Sequence, residues 1–553
     1  MRPSPPPSDA SPAGDPSHHH PLRAYREHAR LCVPQCGKRR AKGTSFRAAR
    51  TRRRERPLLE SRPIELETLS LAIGAARSGS RAPAAVTDLA YDSRDVRPGV
   101  VFFCVPGLQA DGHDFAPEAV ARGAVALVVE RPLDLGVPQL VVADARAAMA
   151  VAADVFFGRP TRELQVAGVT GTNGKTTTAF LLFAILAAAG RRPGLLGTVE
   201  SRIGGERRPV TRTTPEAIDL QATFREMLDA GDRSCAMEAS SHASALHRLY
   251  GVRFACLVFT NLSQDHLDFH ETMEAYYEAK RRLFFEPDPD GRRPAAAVNL
   301  DDAYGRRLAG ELAGPGGPLL TFGLAEDAEV RAEELELTVA GASFRAGGLR
   351  VRSRLRGRFN VENQLAAIAA ARLLGIPDEA IVRGVEHVAG VPGRFEAVDE
   401  GQPFAVLVDY AHTPDALRNV LEAAREITSG RLVCVFGCGG DRDRGKRPLM
   451  GAIAVAVADR VVVTSDNPRS EEPEAIIGEI LAGMAPTGAE IEVEPDRRLA
   501  IRLAVSLATE GDVVVIAGKG HEQGQTFADG TVPFSDRQEA SDALRGLAAG
   551  AAA

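Results

Sequence analysis

A glycine-rich segment that ends in lysine and threonine carries the clearest chemical signal in the sequence. The segment reads Thr170-Gly171-Thr172-Asn173-Gly174-Lys175-Thr176-Thr177. Glycines allow backbone N–H groups to turn toward phosphate oxygens, and the start of a helix favours negative charge at the same place. Lys175 is expected to reach the outer phosphates, and the hydroxyl of Thr176 to bind Mg²⁺. The segment therefore predicts an ATP-binding loop, although the usual motif has a glycine where this chain has Val169.

Acidic and imidazole side chains follow two other apolar runs. Glu238 ends the run before Ala239-Ser240-Ser241-His242, and His266 lies in the polar segment that follows Phe259. An acidic residue at a strand's carboxyl end can hold a metal beside phosphates, although a lone glutamate there is often only a helix cap. A polar cluster at such an end is more often a site than part of the core. The sequence therefore predicts that Glu238 binds Mg²⁺ and that His266 binds a second Mg²⁺.

These segments belong to a pattern of strand, glycine-rich turn and helix that repeats over residues 159–393. The predicted elements include a strand over Gln165 to Val169, a helix over Thr176 to Ala189, and strands over Cys235 to Ala239 and Ala255 to Thr260. This order is typical of a doubly wound parallel sheet. We expect an α/β chain with three domains. They are a smaller α/β domain over 63–158, this central P-loop-type domain, and a Rossmann-like domain over 394–546.

Composition and charge exclude several classes of protein. The chain has 553 residues, of which 44% are hydrophobic and 25% charged, which is ordinary for a soluble globular protein. Residues 1–62 hold 15 Lys/Arg and 5 Asp/Glu, so the remaining 491 residues carry a net charge of −16, which argues against a nucleic-acid-binding protein. Seven scattered cysteines favour a reducing cytoplasm over a disulfide framework. Residues 1–62 are expected to be a disordered, dispensable extension or, alternatively, a basic arm that touches RNA, membrane or a partner.

The role of Lys280 depends on a resemblance to a known family. By composition alone Lys280 is a solvated surface residue on a helical stretch. The string from Val169 through Phe285, however, resembles the Mur ligases, the family that builds the peptide stem of the bacterial cell wall. That resemblance implies that Lys280 is carbamylated and that its added carboxylate helps to hold the second Mg²⁺. It extends over about residues 86–530 and implies that Asn360 and Arg394 lie near the nucleotide.

A second string indicates which amino acid the chain uses. Asp466-Asn467-Pro468-Arg469 resembles the motif of the family member that adds meso-2,6-diaminopimelate to UDP-N-acetylmuramoyl-L-alanyl-D-glutamate. Diaminopimelate differs from lysine by a second carboxylate, which an arginine can bind with two parallel hydrogen bonds. Lysine would leave that arginine unpaired, so the site would reject lysine. The resemblance adds Arg442, Gly518 and Glu522 as contacts, and Glu522 is expected to receive an ammonium group. Without the family, the same four residues read as a turn before a capped helix.

The resemblance also implies a site for the UDP-muramoyl dipeptide. Its expected contacts are Ser93, Gln109, Ala110, Thr213, Thr214, Ser240 and Arg248. Leu108 and Leu246 depart from the pattern, which has histidine and glutamine at these positions.

The reaction implied by the resemblance is an ATP-dependent amide ligation through an acyl-phosphate, in peptidoglycan precursor synthesis. The residues expected to carry it are Lys175, Glu238, His266 and Lys280. We expect a cytoplasmic monomer that uses ATP and Mg²⁺ and has no membrane span and no nucleic-acid partner. Three alternatives stay open: a lysine-adding ligase of the same family, a folate polyglutamate ligase or another Mur ligase, and a nucleotide-binding scaffold with a decayed site. The sequence does not identify the base that deprotonates the incoming amine.

Overall fold

A computed structural model of the chain describes residues 63–78, 85–107, 110–210, 212–287, 291–314, 316–485 and 488–551. The predicted extension over 1–62 lies outside the described residues, as do Leu108 and Gln109. The three main sheets each lie within one of the predicted ranges 63–158, 159–393 and 394–546, while the exact boundaries of the domains stay predictions.

The described residues of the first range contain a five-stranded sheet and three α-helices. The elements are β1 Ile64–Glu65, α1 Leu66–Ala72, β2 Ala76–Ser78, β3 Ala85–Val86, β4 Asp88–Ala90, β5 Val100–Phe103, α2 Ala116–Ala121, β6 Ala126–Val129, β7 Gln139–Val141 and α3 Ala145–Phe156. The sheet order is β2-β7-β6-β5-β4, in which only β2 is antiparallel, and β1 pairs with β3 separately. Strands β5 and β6 are buried at every position, as expected for parallel strands covered on both faces.

The second range contains an eleven-stranded sheet. The elements of its first half are β8 Gln165–Thr170, α4 Lys175–Ala188, β9 Pro193–Leu196, β10 Ser201–Ile203, β11 Glu206–Arg208, α5 Ala217–Asp229, β12 Ser234–Glu238, α6 Ser241–Ala245 and β13 Phe254–Phe259. Those of its second half are α7 Leu267–His270, α8 Met273–Phe285, β14 Ala295–Asn299, α9 Ala303–Leu312, β15 Leu319–Gly323, β16 Val330–Thr338, β17 Gly341–Ala346, β18 Leu349–Ser353, α10 Arg358–Leu373 and α11 Asp378–His387.

The strand order of this sheet places the candidate loops side by side. The order is β11-β10-β9-β12-β8-β13-β14-β15-β16-β17-β18, and the strands from β9 to β16 are parallel, as predicted. Antiparallel strands extend both edges, which the sequence analysis did not predict. Because β12 and β13 flank β8, the segments that follow these three strands emerge at one edge.

The segment before the nucleotide loop is a packed strand. Gly168 lies inside β8, where a Cβ atom would lie 2.6 Å from the ring of Phe254 and 2.8 Å from Leu257. The residue is therefore glycine because of close packing, and the loop itself begins at Gly171.

The third range contains a six-stranded sheet. The elements are β19 Glu396–Ala397, β20 Ala405–Asp409, α12 Pro414–Ile427, β21 Leu432–Phe436, α13 Lys446–Val457, β22 Arg460–Val463, α14 Pro473–Leu481, β23 Glu490–Val493, α15 Arg497–Leu507, β24 Val513–Ala517, β25 Gly524–Phe527, β26 Gly530–Pro533 and α16 Asp536–Ala551. The order is β19-β20-β24-β21-β22-β23, in which only β19 is antiparallel, and β25 and β26 form a separate hairpin. Helix α16 ends five residues beyond the predicted end of the domain at 546.

Among the described residues, no helix is both long and apolar enough to cross a membrane.

Candidate active site

The candidate nucleotide loop joins β8 to α4 through two glycines with positive φ. Gly171 has φ of 149° and Gly174 has φ of 83°, and a Cβ atom on Gly174 would lie 2.2 Å from Oδ1 of Asn363. Lys175 folds back over the loop, and its Nζ donates to the carbonyl oxygens of Gly171 at 3.0 Å and Thr172 at 2.7 Å. Burial lowers the pKa of Lys175, while the charge of Glu238 opposes that shift. The loop thus has the shape and the cation expected for binding phosphates.

A cavity of about 850 Å³ opens over this loop. Fourteen predicted site residues line it: Thr172, Asn173, Gly174, Lys175, Thr176, Thr177, Thr213, Thr214, Glu238, Ser240, Arg248, His266, Lys280 and Arg394. They come from the loop after β8 and the start of α4, the segments after β11, β12 and β13, helix α8 and the linker before β19. The structure therefore brings the candidate ATP loop, the candidate metal ligands and part of the candidate dipeptide site into one cavity.

Glu238 lies at the carboxyl end of β12 with its carboxylate held in a fixed orientation. Its side chain is buried, Oε1 accepts from the backbone N of Thr198 at 2.7 Å, and Oε2 accepts from Oγ1 of Thr198 at 3.1 Å. The hydroxyl of Thr214 donates to the backbone oxygen of Glu238 at 2.8 Å. The glutamate does not cap the following helix; the hydroxyl of Ser240 does so instead. The interpretation of Glu238 as a helix cap is therefore wrong.

Lys280 is 1% exposed, so the composition-based prediction of a surface lysine is wrong. Its Nζ donates to the carbonyl oxygen of Gly171 at 2.8 Å and lies 4.5 Å from the centre of the Tyr276 ring. Burial, with the charge of Lys175 as a second cause, lowers the pKa of Lys280 well below its ordinary value. A lowered pKa increases the fraction of the amine that is neutral, and the neutral amine is the form that reacts with CO₂ to give a carbamate.

His266 lies beside Lys280 and Lys175 in a group of imidazole rings. It directly precedes α7 with φ of 54°, and its Nε2 lies 3.4 Å from Oδ2 of Asp265. Its ring packs edge-on against that of His242, with 4.7 Å between the centres. Burial lowers the pKa of His266, with the nearby lysines contributing in the same direction. A neutral imidazole at neutral pH can act as a metal ligand.

Two residues from beyond the central sheet reach the nucleotide loop. Arg394 donates from Nη2 to Oγ1 of Thr176 at 3.2 Å, and its guanidinium stacks on the Tyr410 ring at 4.7 Å. The Nε of Arg394 is buried and has no hydrogen-bond partner among the described residues. Asp415, which the sequence analysis missed, accepts from the side chains of Ser263 at 2.6 Å and Asn173 at 3.3 Å. The third domain therefore contributes a cation and an anion to the edge of the cavity.

Asn360, a predicted nucleotide contact, is buried next to the cavity and is not part of its lining. Its side chain donates to the backbone oxygen of Arg356 at 2.8 Å and accepts from Asn363 at 3.1 Å. Asn363 lines the cavity, so Asn360 touches the cavity wall through this neighbour.

The candidate amino-acid contacts gather at the carboxyl ends of β21, β22 and β24. Asp466 and Asn467 are each 7% exposed. Arg469 has φ of 54° and donates from Nη1 to the carbonyl oxygen of Gly440 at 2.7 Å. Glu522 accepts on Oε2 from the side chain of Asn467 at 2.9 Å. Burial alone would raise the pKa of Glu522, but the charge of Lys519 and the hydrogen bonds from Asn467 and Lys519 together outweigh it, and the pKa is lowered.

The remaining members of this group lie on the neighbouring loops. Gly518 has φ of 119°, and a Cβ atom there would lie 2.5 Å from Oδ2 of Asp466. Arg442 is exposed, and a Cβ atom on Gly439 would lie 3.8 Å from its Cγ and 2.9 Å from Nη1 of Arg469. The two arginines therefore flank one glycine, on the same loop cluster as the acidic residues.

The candidate UDP-sugar contacts are more dispersed. Ser93 donates to Oε2 of Glu118 at 2.9 Å, and the carbonyl oxygen of Ala110 accepts from Gly107 at 2.8 Å; neither lines the cavity. Arg248 does line the cavity, where it pairs with Glu216 at 2.9 Å. Gln109 lies outside the described residues.

A periodic signal for Lys280 was present in the sequence. The buried residues of α8 are Tyr276, Tyr277, Lys280, Leu283 and Phe284. Their spacing is that of one apolar helix face, with the lysine in its middle. For Asp415 no comparable signal exists, because Ser263 and Asn173, through which it reaches the nucleotide loop, lie more than 150 positions away along the chain.

The fold and the site define a three-domain, nucleotide-binding α/β protein. Family models match three consecutive parts of the chain: the Mur ligase family, catalytic domain over residues 85–157, the Mur ligase middle domain over 169–371, and the Mur ligase, glutamate ligase domain over 393–520. The chain belongs to the Mur ligase family.

Named relatives are similar over nearly their whole length. The UDP-N-acetylmuramoyl-L-alanyl-D-glutamate--2,6-diaminopimelate ligase of Geobacillus thermodenitrificans is 48% identical over 467 residues, which are 83% of this chain and 95% of the relative. The protein of the same name from Geobacter metallireducens is 46% identical over 88% of this chain and 99% of its own. A solved structure with that name is 36% identical, has a TM-score of 0.63, and is matched over 84% of this chain and 95% of its own.

Proposed function

We propose that the chain is the ATP-dependent ligase that joins meso-2,6-diaminopimelate to the D-glutamate of UDP-N-acetylmuramoyl-L-alanyl-D-glutamate, in the synthesis of peptidoglycan precursors. The observation that carries this proposal is that Arg469 and Glu522 lie on two loops that contact each other through the hydrogen bond from Asn467 to Glu522. Arg469 supplies a guanidinium group for the distal carboxylate of diaminopimelate, and Glu522 supplies a carboxylate for an ammonium group of the same amino acid. Relatives at 45–48% identity that carry this name support the same conclusion.

Lys175 and the loop amides bind the phosphates of ATP in this proposal. The Nζ of Lys175 already lies over the loop, and Arg394 adds a second cation from across the cavity. When the D-glutamate carboxylate attacks the γ-phosphorus, an acyl-phosphate forms and ADP leaves. The two cations and the backbone N–H groups stabilise the negative charge that develops on the transferred phosphoryl group.

The residues at the cavity suit Mg²⁺ bound jointly with ATP. Mg²⁺ in phosphoryl-transfer sites takes few protein oxygens and completes its shell with phosphate and water. Thr176 and Glu238 offer such oxygens, and Lys280 as its carbamate and His266 would serve a second ion. Among the described residues, no group of three or more His, Cys, Asp or Glu side chains forms a site for a metal without ATP. When bound, Mg²⁺ supplies charge neutralisation between the phosphate oxygens.

The third domain delivers the amino acid to the acyl-phosphate. Arg469 and Arg442 bind the distal carboxylate, and Asp466, Asn467 and Glu522 orient the ammonium group. The neutral amine attacks the acyl carbon to form the C–N bond, the bond from that carbon to the phosphate oxygen breaks, and inorganic phosphate and one proton of the amine are released. Contacts of Arg394 and Asp415 with the loop hold the two domains together, which excludes water from the acyl-phosphate.

For the dipeptide substrate we propose contacts from Thr213, Thr214, Ser240 and Arg248, which already line the cavity. Ser93, Gln109 and Ala110 would bind the uridine diphosphate farther away. All of these residues come from one chain, so a monomer suffices. ATP and a UDP-linked precursor are cytoplasmic metabolites, and we place the reaction in the cytoplasm.

An omission assay tests this proposal. ADP release is measured with ATP, Mg²⁺ and the UDP-muramoyl dipeptide, each left out in turn, against a panel of amino acids. We expect release only when all three are present together with diaminopimelate. Release with lysine in preference to diaminopimelate would identify the lysine-adding alternative, and no release with any amino acid would indicate a decayed site.

A further inference from the structure

A buried lysine lies at the centre of the amino-acid site and is not among its predicted contacts. Lys519 is 0% exposed and lies between Gly518 and Gly520 on the loop after β24. Its Nζ donates to Oδ1 of Asn467 at 2.9 Å and to Oε2 of Glu522 at 3.0 Å. An ammonium group without solvent is costly unless it is paired and hydrogen-bonded, so this arrangement requires an explanation.

The lysine fixes which way the Asn467 amide points. Oδ1 of Asn467 accepts from Lys519 and also from the backbone N of Thr526 at 2.9 Å. Both of these groups can only donate, so the oxygen of the amide must face them. The amide nitrogen then points to Oε2 of Glu522, to which it donates at 2.9 Å.

The same lysine determines which oxygen of Glu522 is available. Oε2 receives hydrogen bonds from Lys519 and Asn467, and Oε1 has no hydrogen-bond partner among the described residues. Nζ of Lys519 also lies 3.9 Å from Oδ1 of Asp466. One cation therefore organises three of the residues that the proposed function assigns to the amino acid.

Buried contacts of Arg497 hold the two loops that carry this cluster. Arg497 is buried, forms an ion pair with Asp536 at 2.7 Å, and donates to the carbonyl oxygens of Ala517 at 2.9 Å and Ser465 at 3.4 Å. These two carbonyls are at the starts of the loops that carry Lys519 and Asp466. The loops are thus held from the core, and their relative position does not depend on Lys519 alone.

We propose that Lys519 is a positioning residue for amino-acid recognition: it orients Asn467 and Glu522 so that one carboxylate oxygen of Glu522 faces the ammonium group of the incoming amino acid. The inference rests on the proposed function, because it assumes that these residues bind the amino acid. It concerns binding of the amino acid and leaves the binding of ATP and of the dipeptide unaffected.

The test compares Lys519→Met with the wild-type chain in steady-state kinetics. Methionine keeps the length of the side chain and removes the charge and the donors. We expect KM for diaminopimelate to rise at least about ten-fold, the change that corresponds to one charge-assisted hydrogen bond, while KM for ATP and for the dipeptide change less than about two-fold. Arg460→Met is the matched control, because it removes an ion pair with Glu490 at the opposite end of β22; its KM values should equal those of the wild type.

The kinetic results decide the inference as follows. An unchanged KM for diaminopimelate in Lys519→Met, or an equal rise in all three KM values, overturns it. If Lys519→Met does not fold, Lys519→Met/Glu522→Gln, which leaves no charge of this pair unpaired, is compared with Glu522→Gln alone. A further rise in KM for diaminopimelate supports the inference through Asn467, and no further rise overturns it. A wild-type chain that does not use diaminopimelate at all instead contradicts the proposed function.

Discussion

Replacing Arg469 by alanine tests how the site recognises the distal carboxylate. Arg469 is half-buried, and its Nη1 is engaged with the carbonyl oxygen of Gly440 at 2.7 Å. Within the described part of the chain, its Nε and Nη2 have no hydrogen-bond partner, so these two donors remain for the substrate. Alanine keeps a Cβ atom at φ of 54°, so the backbone strain at this position does not change.

The expected loss follows from the number of donors. A hydrogen bond to a charged group contributes about 1.5–3 kcal/mol, and partial exposure of Arg469 favours the lower figure for each of the two bonds. The sum is about 3 kcal/mol, which corresponds to a roughly 150-fold lower kcat/KM for diaminopimelate. Lysine lacks the distal carboxylate and should lose little, so the preference for diaminopimelate over lysine should fall by about the same factor.

The assay measures kcat/KM for both amino acids in the wild type, Arg469→Ala and Arg469→Lys. Lysine at 469 cannot make two parallel bonds, so Arg469→Lys should recover only part of the loss. Equal losses of kcat/KM for diaminopimelate and lysine would refute the reasoning, because they would show that Arg469 supports the loop without contacting the carboxylate. Full recovery in Arg469→Lys would show that charge alone is sufficient.

Three further predictions concern the loop, the buried lysine and pH. Lys280→Ala should lose most ligase activity, and short-chain carboxylates but not bicarbonate should restore part of it; full activity in this variant would exclude the carbamate. Gly174→Ala should raise KM for ATP about ten-fold or more, because the new Cβ atom would clash with Oδ1 of Asn363 and because alanine at this positive φ costs about 1–2 kcal/mol. Gly190→Ala is the control: it has a similar positive φ but no atom within 4 Å of the new Cβ, so it should lower the melting temperature and leave KM for ATP unchanged. Burial, followed by the charge of Arg394, lowers the pKa of His521 to about 4, so between about pH 4 and 6.5 the unfolded chain binds more protons than the native one. The free energy of unfolding should therefore fall as pH drops through this window. His521→Phe should reduce that fall, measured as the difference between the urea midpoints at pH 7 and pH 5. An unchanged difference would show that His521 is not the group responsible.

The sequence predicted the parts of the fold that depend on local pattern. The helix after the nucleotide loop was expected over Thr176 to Ala189 and runs over Lys175–Ala188. Strands were expected over Cys235 to Ala239 and Ala255 to Thr260. They run over Ser234–Glu238 and Phe254–Phe259, within one residue of the predictions, because each is a short apolar run between polar segments. The antiparallel strands β17 and β18 were not predicted, because tertiary packing and not local sequence determines which strands pair in a sheet.

The site was predictable only where it follows strand ends or a family motif. Glu238 ends β12 and His266 lies after β13, and the strand order places these two strands on either side of β8. Lys519 and Asp415 act through partners that are distant along the chain or that only the folded loops bring together, so no spacing in the sequence indicates them. Lys280 is an intermediate case. Its residue type predicted an exposed side chain, whereas its position on the apolar face of α8 would have predicted a buried one.

A competition experiment tests the central claim most directly. The wild-type chain is given ATP, Mg²⁺, the UDP-muramoyl dipeptide, and equal concentrations of meso-diaminopimelate and lysine, and the products are identified by mass spectrometry. The account predicts that the product carries diaminopimelate almost alone. A product that carries mainly lysine, or one of each in similar amounts, would contradict it.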